Sequence, residues 1–178
     1  MQTFYPYMHP KLTAESLDRK RLGKQRVEAS QILDLLEGRV NNNWINHPAV
    51  RMWGGYNMYL RYYYNTMIEV WVNRGYENNM IKLAPGVRPV RPWWHNDPRL
   101  LYSHRANLVK KFPEYYEEKW PYVNPDIPYW WPVELKTKKN QDHLNDFWGW
   151  HKCVRTDDHQ IILELRNEKL NTPVWEPE

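Results

Sequence analysis

One cysteine, Cys153, stands in 178 residues, so no internal disulfide can staple the chain. No run of about 18 apolar residues is present to span a bilayer, and no membrane partner is expected. The start, Met1-Gln2-Thr3-Phe4-Tyr5-Pro6, lacks the basic-then-apolar pattern of a secretory leader. The expected setting is therefore reducing: cytoplasmic, nucleoid-associated, or the cytoplasm of a host cell for a phage-encoded chain. Internal repeats and low-complexity tracts are absent too, and disordered and collagen-like classes are excluded. His143, His151, Cys153 and His159 are metal-capable types, but their spacing matches no zinc pattern. Neither a metal nor a cofactor is expected.

What is present is an apolar share of 42% with 15% aromatics, enough to build a core in one domain of ordinary size. Charge is unevenly spread. Residues 1–111 hold 17 Lys+Arg and 8 Asp+Glu, a balance of +9; residues 112–178 hold 8 and 13, a balance of -5, which together give the net +4. The basic part is the expected contact with a polyanion; the alternative is a solubilising surface with an acidic tail. Eleven Trp and thirteen Tyr bear on that choice, because rings beside Lys and Arg suit base stacking as well as phosphate pairing.

Leu17, Leu22, Val27, Ala29, Ile32, Leu33 and Leu36 recur at helical spacing. They predict a first helix from the Ser16–Arg19 region to Leu36, capped by Ser16 or Thr13 and stopped by Gly38. Pro48 can open a short helix before Gly54-Gly55. A second long helix, apolar nearly all round, is predicted from Tyr56 to Asn73 with Gly75 after it. Residues 83–98, with Pro85, Pro89, Pro92 and Pro98, read as a loop. Arg99 to Lys111 is a third helix, and Pro113 opens another through Trp120. Tyr122 to Pro132 reads as extended and aromatic. A polar stretch at 136–140 follows, then Gln160 to Leu165, a strand or a buried helical turn.

At about 100° per residue, Arg21, Gln25, Glu28 and Ile32 fall on one stripe of the first helix, within its apolar face. A buried charge must be paired or have a task. One explanation is an internal Arg21–Glu28 or Glu28–His network that fixes helix packing. The other is a carboxylate at the floor of a cleft, with Arg19, Lys20, Arg21, Lys24 and Arg26 around it to hold phosphates. Held partly out of water, such a carboxyl can serve as general acid or base.

Three blocks then appear in order. The first is Leu17-Asp18-Arg19-x-x-Leu22-x-x-x-x-x-Glu28-Ala29; the second is Asn46-His47-Pro48 with Trp53-Gly54-Gly55-Tyr56 and, at the end of the long helix, Asn73-Arg74-Gly75-Tyr76. The third is Ser103-His104-Arg105-Ala106-Asn107-Leu108-Val109-Lys110-Lys111 with Pro113-x-Tyr115-Tyr116. In this order they resemble the pyrimidine-dimer DNA glycosylase/AP-lyase family typified by phage endonuclease V. The likeness is closer still to its small relatives that open Met-Gln-Thr-Phe and end their core in Tyr-x-Trp-Pro, as Tyr129-Trp130-Trp131-Pro132 does.

The resemblance covers residues 1–132 and implies a mostly all-α, compact single-domain helical bundle, with 133–178 as a C-terminal extension. It implies that the N-terminus lies across the helices beside a catalytic carboxylate, which carries over to Glu28. The implied partner is double-stranded DNA with a damaged or modified pyrimidine, a pyrimidine dimer by resemblance, bound by a monomer. Phosphate and substrate contacts are expected from Arg19, Arg21, Lys24, Gln25, Arg26, His47, Arg51, His104 and Arg105. The family nucleophile is an α-amino group exposed by loss of the initiator Met. Here Gln2 is bulky, so the amine belongs to Met1, or to Gln2 if Met1 is removed, with Lys24 as a substitute. Val27 stands where the family has an Arg before the Glu, so Arg21 or Arg26 would supply that contact. Competing readings are a water activated at Glu28 without an imine, and a non-enzymatic nucleic-acid-binding or regulatory protein. Trp93-Trp94 and Trp130-Trp131 either stack bases or pack loops onto the core.

Overall fold

The computed structural model describes residues 2–84, 86, 89–158 and 160–171. Met1, the expected amine, and His159 lie outside the described residues. Among those described, helices dominate and a single two-stranded sheet accompanies them, in line with the expected mostly all-α class. No helix among them is long and apolar enough to cross a membrane. Residues 1–95 and 96–178 form two compact units.

The first unit holds α1 (Pro10–Ser16), α2 (Arg19–Leu36), α3 (Pro48–Arg51) and α4 (Asn57–Asn73), with α1 and α2 both packed on α4. Pro10 opens α1 at a position where its missing N–H costs nothing. The predicted first helix is α2, but its cap is Asp18 rather than Ser16 or Thr13. Asp18 Oδ1 accepts from Lys20 N at 2.9 Å and Arg21 N at 3.2 Å. Ser16 and Thr13 belong to α1, where Ser16 Oγ donates to Thr13 O at 2.7 Å.

Gly38, at φ +70°, ends α2 as predicted. Its N–H donates to Leu35 O at 3.2 Å and that of Arg39 to Asp34 O at 2.9 Å, the paired bonds of a Schellman ending. Within α2, a Cβ at Gly23 would come within 3.0 Å of Trp71 Cζ3. Glycine's helix penalty of about 1 kcal/mol is thus offset by a close seat for that indole. In α4, Leu60, Tyr63 and Met67 are fully buried while Met58 and Val72 face solvent.

The second unit holds α5 (Pro98–Lys111), α6 (Pro113–Tyr116), α7 (Lys138–Trp150), β1 (His151–Arg155) and β2 (Ile161–Leu165). Asp97 caps α5, accepting from Arg99 N at 2.9 Å. The helix predicted through Trp120 is a single turn, because Trp120 leaves it to stack flat on Tyr116, centroids 5.3 Å apart. Residues 122–132 run without helix or strand and bury Val123, Ile127 and Trp130. In place of the polar stretch, α7 begins at Lys138 and buries only Leu144, Trp148 and Gly149. The run at 161–165 is a strand, antiparallel to β1 with Cys153 opposite Leu163.

His104 and Arg105, assigned above to DNA, are buried on α5 at 0% and 3% exposure, which withdraws them from any contact with a duplex in this conformation. His104 meets the rings of Tyr129 and Trp131 edge-on. Burial pushes its pKa down to about 3, against an ordinary value near 6.5. A folded-state value below the unfolded one means that the unfolded chain binds the extra proton. The contribution of neutral His104 is then intact above about pH 6.5 and falls by up to about 1.4 kcal/mol per unit as the pH drops toward 3. Urea titrations at pH 7, 5.5 and 4.5 should show a steeper acid loss in the wild type than in His104→Gln.

Candidate active site

Chain termini are disordered unless something ties them down, yet Thr3, Phe4 and Tyr5 are buried. The ties come from α2, α4 and the turn before α4. Gln25 Oε1 accepts the Phe4 N–H at 2.8 Å, and Gln25 Nε2 donates to the Gln2 carbonyl at 3.1 Å. One side-chain amide thus pairs with the backbone as a neighbouring strand would. The Tyr63 hydroxyl lies 2.7 Å from both Phe4 O and Gln25 Oε1, so its one proton serves two acceptors. Burial pushes that phenol well above its ordinary pKa and keeps it protonated. Trp53 Nε1 donates to Thr3 Oγ1 at 2.9 Å. Tyr5 stacks on Tyr63 and meets Trp53 and Trp94 edge-on. Trp94 itself is anchored by an indole bond to Met52 O at 2.8 Å, so it packs the core and is not available to a base.

Gln25 is therefore a clasp and not a DNA contact: it is 1% exposed, with both ends of its amide engaged. Glu28 lies three residues further along the same stripe, just past the covered part. The Gln2 N–H donates to Glu28 Oε2 at 2.9 Å. With Met1 attached, that nitrogen is a planar amide whose lone pair is delocalised.

Glu28 also lines a cavity of about 420 Å³, with Gln31, Asp34, Val40, Asn42 and Trp44 among its walls. Asn42 caps the 3-10 turn at Asn43–Asn46 through Oδ1, which accepts Trp44 N at 2.9 Å. Trp44, in that turn, lines the cavity and is 46% exposed. His47 caps α3, its Nδ1 accepting Ala49 N–H at 3.1 Å, so a neutral ring carries its proton on Nε2. Burial lowers its pKa, and its ring sits 5.3 Å from that of Trp44.

Arg26 and Arg19, expected around Glu28, are directed to the far side of α2. Arg26 leaves α2 about 160° from Glu28, lies 4.0 Å over Trp71 and donates to Asn78 Oδ1 at 2.6 Å. Arg19 lies 4.9 Å over Tyr76. Arg21 Nη1 stands 3.4 Å from Asp18 Oδ2. Lys24, Arg19 and Arg51 are exposed. Asp34, Asn42 and Trp44 were not singled out from the sequence; a tryptophan inside an Asn-rich turn was the available signal. Tyr63 read as core, and only its buried hydroxyl hinted at the partners it has.

Replacing Gln25 by Ala leaves the Phe4 amide without its buried acceptor, at an expected cost of about 2 to 4 kcal/mol. Hydrogen exchange at Phe4 should accelerate well beyond that of the α4 core. A variant in which the Phe4 amide remains as protected as before would contradict the clasp.

Residues 1–83 match the model of the family described as pyrimidine dimer DNA glycosylase. No curated protein and no solved structure matches the chain. The matched stretch takes in α1 to α4 and with them Gln2, Gln25 and Glu28. Over residues 1–83, then, the chain is similar to the pyrimidine dimer DNA glycosylase family.

Proposed function

We propose that the chain is a DNA glycosylase with an AP-lyase step, acting on double-stranded DNA that carries a damaged or modified pyrimidine. The 2.9 Å bond from the Gln2 amide to Glu28 is the observation that carries this reading, since it supports a chain-start amine within one residue of a carboxylate. The activity is assigned within residues 1–132, where the resemblance ends.

An α-amine has an ordinary pKa of about 7.7–8, so a useful fraction is neutral and nucleophilic at neutral pH. Met1, or Gln2 if Met1 is removed, supplies it. The amine attacks C1′ of the deoxyribose; the C1′–N bond breaks, and the base leaves with the electron pair and takes a proton. Opening of the sugar ring gives an imine, and loss of a C2′ proton then expels the 3′ phosphate. Glu28 stabilises the cationic sugar and carries the protons between these steps. Exposed Arg19, Lys24 and Arg51 suit phosphate contacts, which set register and salt dependence rather than sequence preference. Access to C1′ requires local unstacking, which costs least at a damaged base.

Borohydride trapping on duplexes with an abasic site, a pyrimidine dimer or a modified pyrimidine tests this reading. The expected result is a covalent adduct mapped to the N-terminal residue and a loss of about 100-fold or more in excision for Glu28→Gln. Salt-sensitive binding with no adduct and no strand scission on any duplex would instead make the protein a non-enzymatic DNA-binding module.

A further inference from the structure

The cavity beside Glu28 has walls that suit an uncharged ring and oppose a phosphate. Two carboxylates, Glu28 and Asp34, line it, and a phosphodiester between them would meet like charge on both sides. Trp44 and Val40, 46% and 45% exposed, supply an aromatic face and an apolar edge at the opening. Because Asn42 Oδ1 is engaged by Trp44 N at 2.9 Å, its amide nitrogen is the end left to donate.

Asp34 is held in place from outside the cavity. Its Oδ1 accepts Arg39 Nε at 2.7 Å; Arg39 also pairs with Glu37, and Glu37 with Arg61 at 2.8 Å. The Schellman turn at Gly38 sets the direction from which Arg39 approaches. The second oxygen of Asp34 is then a fixed acceptor.

We propose that this cavity seats the base to be excised, stacked against Trp44, and that Asp34 selects a cytosine-type ring over a thymine-type ring. The pyrimidine part of this inference rests on the glycosylase reading; the cavity does not. At ring position 4 cytosine carries an amine and thymine a carbonyl. The amine donates to the carboxylate, and the ring N3 and O2 of cytosine both accept, which suits the Asn42 amide. A thymine carbonyl turned to Asp34 would leave two acceptors face to face without a proton between them, the arrangement by which a hydrogen-bonding site rejects a near-isostere.

The test uses the full chain and duplexes with a single bulged dC or dT, alongside the fully paired duplex. Fluorescence anisotropy should give a bulged dC duplex bound about tenfold or more tightly than the dT duplex. Asp34→Asn, whose amide can donate to a carbonyl, should bring that ratio to about one or invert it, and Trp44→Ala should move both affinities toward that of the paired duplex. The ratio is insensitive to a partial loss of folded protein. The indole N–H signal of Trp44, assigned by its absence in Trp44→Phe, should shift with the dC bulge and not with the paired duplex. Equal affinities for dC and dT, a ratio unchanged in Asp34→Asn, or an unmoved Trp44 signal would each overturn the proposal. Discrimination without excision of any base would keep the cavity and sink the glycosylase; excision without discrimination would do the reverse.

Discussion

The whole site depends on the clasp that Gln25 closes on the chain start. A side-chain amide has one acceptor and one donating end, and at Gln25 both are spent on backbone, on Phe4 N–H and Gln2 C=O. The consequence is positional. Once the Gln2 C=O and the Phe4 N–H, on either side of Thr3, are registered against α2, the N–H of Gln2 meets the carboxylate one turn further along, Glu28. Trp53 and Tyr63 close the same segment from the side of α4, so the register is held from two directions.

Electrostatics divide along α2. The side carrying Gln25 and Glu28 receives the chain start and opens into a cavity whose charged walls are acidic. The opposite side carries Arg19 and Arg26 on the rings of Tyr76 and Trp71, stacked guanidiniums that leave little freedom to the side chains. Between the two runs an exposed edge with Lys20 and Lys24. On the proposed reading, the edge with Lys20 and Lys24 would meet the phosphates while Glu28 faces the sugar.

Much of this was legible in the residues. The apolar spacing of α2 and α4 and the glycines at 38 and 75 mark both helices and their ends, since a C′ glycine at positive φ is a local requirement. The inward stripe of Gln25 and Glu28 was legible too, but not which of them would be covered. That depends on residues 2–5 lying across the helix, a contact more than twenty residues distant in sequence. His104 and Arg105 show the same limit in the second unit: nothing local to α5 announces that two polar side chains will be buried. The short α1 hides because its only strong signal is Pro10. The helix α7 hides because two large side chains, Leu144 and Trp148, carry its buried face. Trp44 was passed over because a turn rich in Asn reads as a connection, while Asn42 makes it a cap that presents a ring.

The proposed reading needs an amine at the chain start to work beside Glu28, and its titration tests this most directly. An adjacent carboxylate favours the charged form of an amine and raises its pKa. Following an isotope-labelled α-amine by NMR from pH 5 to 10, the account predicts a lower amine pKa in Glu28→Gln than in the wild type. The same midpoint in both proteins would contradict it.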